Sequence, residues 1–125
     1  MEITIKEFVE DSNFKACANV YKNIPELISF NVYESISENK INCKNVFFDD
    51  VIEGKIFLCY PLKVSVEVKV KFKNLYSLIN QIRKAYRLIY QNPEKYGIWG
   101  HSIYNLQINS IKILKYNLIY VGIES

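Results

Sequence analysis

The segment PLKVSVEVKVKFK, residues 61–73, alternates between apolar and polar side chains. Its apolar residues all have even numbers and most are β-branched: Leu62, Val64, Val66, Val68, Val70 and Phe72. This period of two predicts a long β-strand with one buried face and one solvent-facing side. The preceding residues 55–60 are apolar on both faces and keep the same parity. We therefore predict one strand that runs through both segments and bends at Pro61, which lacks a backbone N–H.

A helical pattern follows this strand. From Leu75 to Tyr90 the apolar residues recur every three or four positions, at Leu75, Leu78, Ile79, Ile82, Ala85 or Tyr86, Ile89 and Tyr90. Asn74 is a favourable N-cap, and Pro93 marks the end because the residue before a proline is disfavoured in helical conformation. We predict a helix over residues 75–90 whose apolar face packs on the sheet through Leu78, Ile82, Tyr86 and Ile89.

The C-terminal segment predicts a hairpin. Its first strand alternates through Leu106 and Ile108, and the apolar parity then changes at Ser110. No turn residues intervene, so the parity change predicts a β-bulge within one strand. The sequence LKYN at 114–117 predicts a turn, and LIYVGI at 118–123 predicts a last short strand.

The first half of the chain is less regular. Ile3 and Ile5 alternate with polar residues and predict a strand. Residues 14–24 fit either a helix or a strand, and we prefer the strand. Residues 28–36 also predict a strand. Residues 41–50 are its expected hairpin partner. The expected fold is α+β, with residues 1–125 as a single domain: a mainly antiparallel twisted sheet and one long helix, about 75–90, packed on one face.

Composition places the chain among folded proteins, with 50% hydrophobic and 23% charged residues. No run approaches the ~20 apolar residues of a membrane span, and the first residues lack a basic region followed by an apolar core. We expect a cytoplasmic protein without a membrane partner.

Metal and cofactor signals are weak. The three cysteines, Cys17, Cys43 and Cys59, are widely spaced and predict reduced thiols. Asp49, Asp50 and Glu53 lack the spacing and central glycine of an EF-hand, and predict a solvated turn. We expect no cofactor, no metal site and no catalytic residues.

Basic residues form two groups, on the polar side of the strand and on the helix: Lys63, Lys69, Lys71 and Lys73, then Arg83, Lys84 and Arg87. Glu67 interrupts the first group, and the net charge is only +3. The sequence has no aromatic ribonucleoprotein pattern and no GxxG loop, so these cations predict solvated faces and a nucleic-acid partner is not expected.

The segment YGIWGHS, residues 96–102, holds the only tryptophan and the only histidine of the chain. One interpretation is structural: Ile98 and Trp99 cover the end of the helix, with the indole largely buried, and Gly97 and Gly100 permit a compact turn. The other is a binding loop that uses Tyr96, Trp99 and His101. We prefer the first interpretation and keep these three residues as the candidate binding site.

These observations predict a small protein-interaction domain of regulatory or immunity type, without catalytic activity, that binds a protein partner or another copy of itself as a homodimer. The alternative is a small-molecule-binding protein or an enzyme that uses the loop of Trp99 and His101. That alternative requires carboxylates from distant parts of the chain to converge on the imidazole.

Overall fold

A computed structural model of the protein describes residues 2–6, 20–23, 30–33, 47–114 and 117–124. These residues form strands, one α-helix and two short 3-10 turns. In chain order the elements are β1 (Glu2–Lys6), β2 (Val20–Asn23), β3 (Phe30–Asn31), β4 (Phe47–Leu58), β5 (Ser65–Asn74), α1 (Leu75–Ile89), the turns Pro93–Tyr96 and Ile103–Asn105, β6 (Gln107–Leu114) and β7 (Leu118–Glu124).

The described strands form one sheet in the order β1-β5-β4-β7-β6-β2, and β3 pairs with β6 beside β2. Strands β4 and β7 pair in parallel, and the other described pairs are antiparallel. Helix α1 packs against β5. The predicted α+β class, a mainly antiparallel sheet with one long helix on a face, is confirmed.

Residues 55–73 do not form one bent strand, so that prediction is wrong. Strand β4 ends at Leu58, the chain turns through residues 59–64, and β5 returns antiparallel. Ile56 lies opposite Val68 and Leu58 lies opposite Val66. Even-numbered residues therefore share the core face in both strands, and the parity continues unbroken across the turn. Periodicity alone cannot distinguish a bent strand from this hairpin.

The acidic group at 49–53 was also predicted incorrectly, because it lies within strand β4 and not in a turn. Asp49, Asp50 and Glu53 are exposed. Glu53 is opposite Lys71, and its Oε1 lies 3.4 Å from the lysine Nζ. The Glu53–Lys71 pair lies on the solvent side of the paired strands, where both groups stay hydrated, so it contributes little stability.

The polar side of β5 is buried at one end. Lys69 and Lys71 are exposed as predicted, whereas Ser65 and Glu67 are 3% and 6% exposed. The Glu67 carboxylate pairs with Lys55 on β4, with a separation of 3.3 Å between Oε1 and Nζ. A desolvated carboxylate needs such a partner, since burial of an unpaired charge is costly.

Helix α1 begins where β5 ends, with no connecting loop. Asn74 has extended backbone angles, and its Oδ1 accepts a hydrogen bond from the Ser77 amide at 2.8 Å. The helix ends at Ile89, one residue earlier than predicted, and Tyr90 is its C-cap. The buried residues are those of the predicted apolar face: Leu75, Leu78, Ile79, Ile82, Ala85, Tyr86 and Ile89. None of the described helices is long and apolar enough to cross a membrane.

The predicted C-terminal hairpin and its bulge are both confirmed. Strands β6 and β7 pair antiparallel, with a register shift between Ile108 and Ser110. Asn117 in the connecting turn has a positive φ of 55°. The shift lets Ile108 and Ile111 lie in the core although their numbers differ in parity.

In the first half, β1 confirms the strand predicted around Ile3 and Ile5. Residues 20–23 are in β2, which supports the strand interpretation for that part of 14–24. Phe30 and Asn31 form β3 within the strand predicted over 28–36. Val32 and Tyr33 form a bend after β3, so the strand ends earlier there than predicted. Residues 47–50 belong to β4, which pairs with β5 and β7, whereas β3 pairs with β6, so the described residues do not form the predicted hairpin of 28–36 with 41–50. The other residues of these segments lie outside the described residues.

The helix–sheet packing can be tested with two leucines of the same helix. Leu78 is 0% exposed and Leu88 is 42% exposed. We expect Leu78→Ala to lower the free energy of unfolding by about 2–5 kcal/mol, because it leaves a cavity in the core. Leu88→Ala should change it by less than about 0.5 kcal/mol. Urea unfolding followed by circular dichroism measures both, and equal losses would contradict this packing.

Candidate functional site

The segment YGIWGHS forms a turn at the C-terminal end of α1. The 3-10 turn Pro93–Tyr96 precedes it, and the Ile98 amide donates to the Pro93 carbonyl at 3.0 Å. Gly97 and Gly100 have φ angles of 70° and 69°, in the left-handed region that glycine adopts without strain. The predicted use of both glycines in a compact turn is confirmed.

Trp99 does not cover the helix end, so the expectation of a largely buried indole is wrong. Its side chain is 73% exposed, whereas Ile98 and Tyr96 are 8% and 7% exposed. Outside helices, adjacent side chains point in different directions, and here the isoleucine takes the inward position. The Tyr96 carbonyl accepts a hydrogen bond from the Lys63 amide at 2.9 Å, so this residue joins the turn to the β4–β5 connection.

Trp99 is one of several exposed aromatic residues at this end of α1. Tyr104, on the same loop, is 61% exposed, and Tyr60 and Tyr33 are 41% and 40% exposed. The Tyr33 and Tyr104 ring centroids are 4.3 Å apart, and those of Tyr60 and His101 are 5.4 Å apart. We call Tyr33, Tyr60, Trp99, His101 and Tyr104 the aromatic surface: the two ring contacts join three separate stretches of chain, and Trp99 lies two residues before His101.

Side chains of α1 hold the backbone of this surface. Arg83 and Arg87 both donate to the Tyr33 carbonyl, at 3.1 and 3.0 Å. The Tyr86 hydroxyl donates to the carbonyl of Tyr60 at 3.0 Å. These contacts fix two of the exposed tyrosines by their main chain and leave their rings available.

The loop after α1 is held in the same way. The Tyr90 hydroxyl donates to the His101 carbonyl at 3.0 Å. Asn31 donates from Nδ2 to the carbonyl of Tyr104 at 2.6 Å. The Ser102 hydroxyl accepts from the Tyr104 amide at 3.3 Å. Four of the five members of the aromatic surface therefore have their carbonyl held by a side chain, which restricts the backbone under each ring.

Burial favours the protonated form of the two anchoring tyrosines, Tyr86 in α1 and its C-cap residue Tyr90. Burial raises the pKa of Tyr86 well above the usual value for tyrosine. Burial, with a smaller contribution from Tyr60, raises the pKa of Tyr90 to about 12. At the surface, a hydrogen bond with Tyr33 raises the pKa of Tyr104. All three hydroxyls are therefore neutral at physiological pH and can donate hydrogen bonds.

His101 is half-buried, and its Nδ1 lies 3.4 Å from the Tyr60 hydroxyl. The two rings meet edge to face at 70°. Metal binding finds no support here, since no group of three or more His, Cys, Asp or Glu in the described chain could hold an ion. Cys59 has a free thiol, and Cys17 and Cys43 lie outside the described residues.

The structure thus separates the three sequence-predicted site residues. Trp99 and His101 belong to the aromatic surface, whereas Tyr96 is buried. Sequence reasoning missed Tyr33, Tyr60 and Tyr104. Tyr104 followed the loop closely enough to be included, but Tyr33 and Tyr60 reach the surface only through pairing and packing with distant segments.

The anchoring role of Tyr86 predicts a pH dependence. Unfolded tyrosines lose their proton near pH 10, whereas folded Tyr86 and Tyr90 keep it to higher pH, so the folded state holds more protons and stability falls as pH rises above about 10. At pH 8 we expect Tyr86→Phe to lower the free energy of unfolding by about 1 kcal/mol through the lost hydrogen bond. At pH 11 the difference in free energy of unfolding between Tyr86→Phe and the unmodified protein should be smaller, because the unmodified protein loses the contribution of Tyr86 as pH rises.

Urea unfolding at pH 8 and pH 11 measures this effect. Tyr76→Phe is the matched control, because Tyr76 lies on the same helix and is 48% exposed. It should follow the unmodified protein at both pH values. If the free energy of unfolding falls between pH 8 and pH 11 by the same amount in Tyr86→Phe as in the unmodified protein, Tyr86 is not the source of the pH dependence.

Comparison of the chain with protein-family models, with curated proteins and with solved structures finds no match.

Proposed function

We propose that this protein is a small protein-interaction module without catalytic activity, and that it binds a protein partner through the aromatic surface. The observation that carries the proposal is the exposure of Trp99 together with that of three tyrosines whose carbonyls are held by hydrogen bonds from side chains. A regulatory or immunity-type inhibitor acts in this way, by occupying a partner's surface.

Exposed aromatic rings are strong sources of binding energy. Each Trp or Tyr buries ~150–250 Å² when it is covered, and the residues that dominate binding energy at interfaces are enriched in Trp, Tyr and Arg. The sole tryptophan is 73% exposed although the adjacent Ile98 is buried. An indole left in water contributes little to folding, so a partner that covers it explains its position better than the fold does.

The hydrogen bonds beneath the rings also favour binding. Association costs free energy when loops and side chains become ordered, and a surface that is already ordered avoids part of that cost. Tyrosine and tryptophan have only two side-chain dihedral angles, so little further freedom is lost. Restraint of the Tyr60, His101 and Tyr104 carbonyls is what a pre-organised binding surface requires.

The proposal extends to location and self-association. We place the protein in the cytoplasm, with no membrane or nucleic-acid partner. Homodimerisation is included as one form of protein binding, since a second copy is a possible partner for the same surface. Concentration-dependent sedimentation distinguishes a homodimer from a module that binds a different protein.

The contact between His101 Nδ1 and the Tyr60 hydroxyl favours a second candidate function, a small-molecule or enzyme site at Trp99 and His101. An imidazole beside a phenol can bind or transfer a proton. A groove of about 660 Å³ on the lysine-bearing side of β4 and β5 does not serve this candidate, because neither residue lines it.

The chain contains its own probe for the experiment, because its single tryptophan lies on the proposed surface. A random-peptide display library is selected on the immobilised protein, and the selected peptides are synthesised. Binding at the aromatic surface should shift the Trp99 emission to shorter wavelength and reduce its quenching by acrylamide. A selection that yields only peptides that leave the Trp99 emission unchanged would overturn binding through the aromatic surface.

Trp99→Ala should weaken the selected peptides at least ~30-fold, the loss expected for a residue that contributes about 2 kcal/mol to binding. Its free energy of unfolding should change by less than about 0.5 kcal/mol, since an exposed side chain is removed. Titration calorimetry and urea unfolding measure the two effects. Tyr76→Ala, which removes an exposed aromatic residue near the start of α1, is the control and should bind normally.

His101→Ala separates the two candidate functions. In the interaction module it should weaken peptide binding by less than ~10-fold, because the surface keeps Trp99 and the tyrosines. In a small-molecule site it would abolish binding of the ligand at unchanged stability. A protein that selects no peptides, but whose Trp99 emission responds to a small-molecule library only when His101 is present, would overturn the interaction proposal.

A further inference from the structure

Arg87 lies beside the aromatic surface, on the last turn of α1. Its Cζ atom is 5.3 Å from the centroid of the Tyr33 ring, and that ring is 4.3 Å from the ring of Tyr104. A guanidinium group and two rings therefore lie in succession. The cation–π contact holds the guanidinium in place while its outer edge remains exposed.

The two arginines of this helix differ in how their N–H groups are used. Arg83 donates from Nε to the Val32 carbonyl at 3.2 Å, from Nη1 to Asn80 at 3.4 Å and from Nη2 to Tyr33 at 3.1 Å. Arg87 donates once, to the Tyr33 carbonyl at 3.0 Å. A guanidinium has five N–H groups, and within the described part of the chain Arg87 forms no ion pair.

The charge around Arg87 is uniformly positive along the helix. The sequence of α1, LYSLINQIRKAYRLI, contains two arginines and a lysine and no acidic residue. None of the five described residues that define the aromatic surface has a carboxylate. A ligand that approaches Tyr33, Tyr104 and Arg87 therefore meets aromatic rings beside an arginine that has N–H groups left to donate. The complementary group is an anion on an apolar segment.

We propose that the aromatic surface recognises an acidic protein segment, in which an Asp or Glu carboxylate binds the Arg87 guanidinium while neighbouring apolar side chains pack on Trp99 and Tyr104. The inference rests on the proposed function and specifies its partner. A carboxylate matches the planar fork of arginine and forms two parallel hydrogen bonds with it.

A nucleic acid fits the same surface less well. The Tyr33 and Tyr104 rings contact each other at an interplanar angle of 58°, which leaves no parallel gap for a base between them. The lysines of β5 do not form a continuous basic groove, because Lys71 pairs with Glu53. A single-stranded nucleic acid needs a continuous basic groove beside its stacking platforms.

The test uses a random-peptide display library, selected separately on the unmodified protein and on the Arg87→Gln variant. Peptides from the unmodified protein should be enriched in Asp and Glu, and this enrichment should disappear with the variant. Selected acidic peptides should bind Arg87→Gln at least ~10-fold more weakly. Lys84→Gln is the matched control: it removes one charge from the same helix and should weaken binding less than ~3-fold.

A second measurement leaves the protein intact, since loss of Arg87 also removes a hydrogen bond to Tyr33. The acidic residue of a selected peptide is changed to Asn or Gln, and its affinity for the unmodified protein should fall by the same factor. The affinity of the changed peptide for Arg87→Gln should be only slightly lower than the affinity measured with either change alone. Independent, additive losses would overturn the proposed contact.

The outcomes distinguish failure of the inference from failure of the proposed function. Peptides that require Trp99, show no acidic enrichment and bind Arg87→Gln normally would overturn the acidic segment alone. A library that yields no Trp99-dependent peptide would overturn the interaction module. A thymidine oligonucleotide that quenches Trp99 and loses affinity steeply with salt would overturn both in favour of nucleic-acid binding.

Discussion

The packing of α1 against β5 is the interaction on which the rest of the described structure depends. Asn74 ends the strand and caps the helix, so no loop separates the two elements and their relative position is fixed from the first turn. The buried face reaches as far as Ile89, near the C-terminus of the helix. Because that end cannot move away from the sheet, Arg83, Tyr86 and the C-cap residue Tyr90 are fixed points to which other segments attach.

Those attachments explain how three distant segments form one surface. Tyr33, Tyr60 and His101 have no shared secondary structure, yet each has its carbonyl bound by a side chain of α1 or of its C-cap. A hydrogen bond between neutral groups contributes only about 0.5–1.5 kcal/mol, and its loss leaves a polar group unpaired. Together these hydrogen bonds restrict the position of the backbone at each ring, although the ring itself contributes little to the core.

Local patterns predicted the local elements. The helix and the β6–β7 hairpin follow from residues within a few positions of one another, including the bulge at Ser110. The β4–β5 turn was missed because both strands present residues of the same parity to the core. Tyr33 and Tyr60 could not be assigned to the site, because their place depends on contacts with Arg83, Arg87 and Tyr86, far along the chain.

Trp99 shows why the distinction between a structural turn and a binding loop was too simple. The turn is structural, but Ile98 and Tyr96 supply its buried side chains, and this frees the tryptophan for the opposite side. In the proposed function a partner covers this exposed indole, which projects from the turn that Gly97 and Gly100 shape. One short segment therefore closes the helix end and presents the largest apolar side chain of the surface.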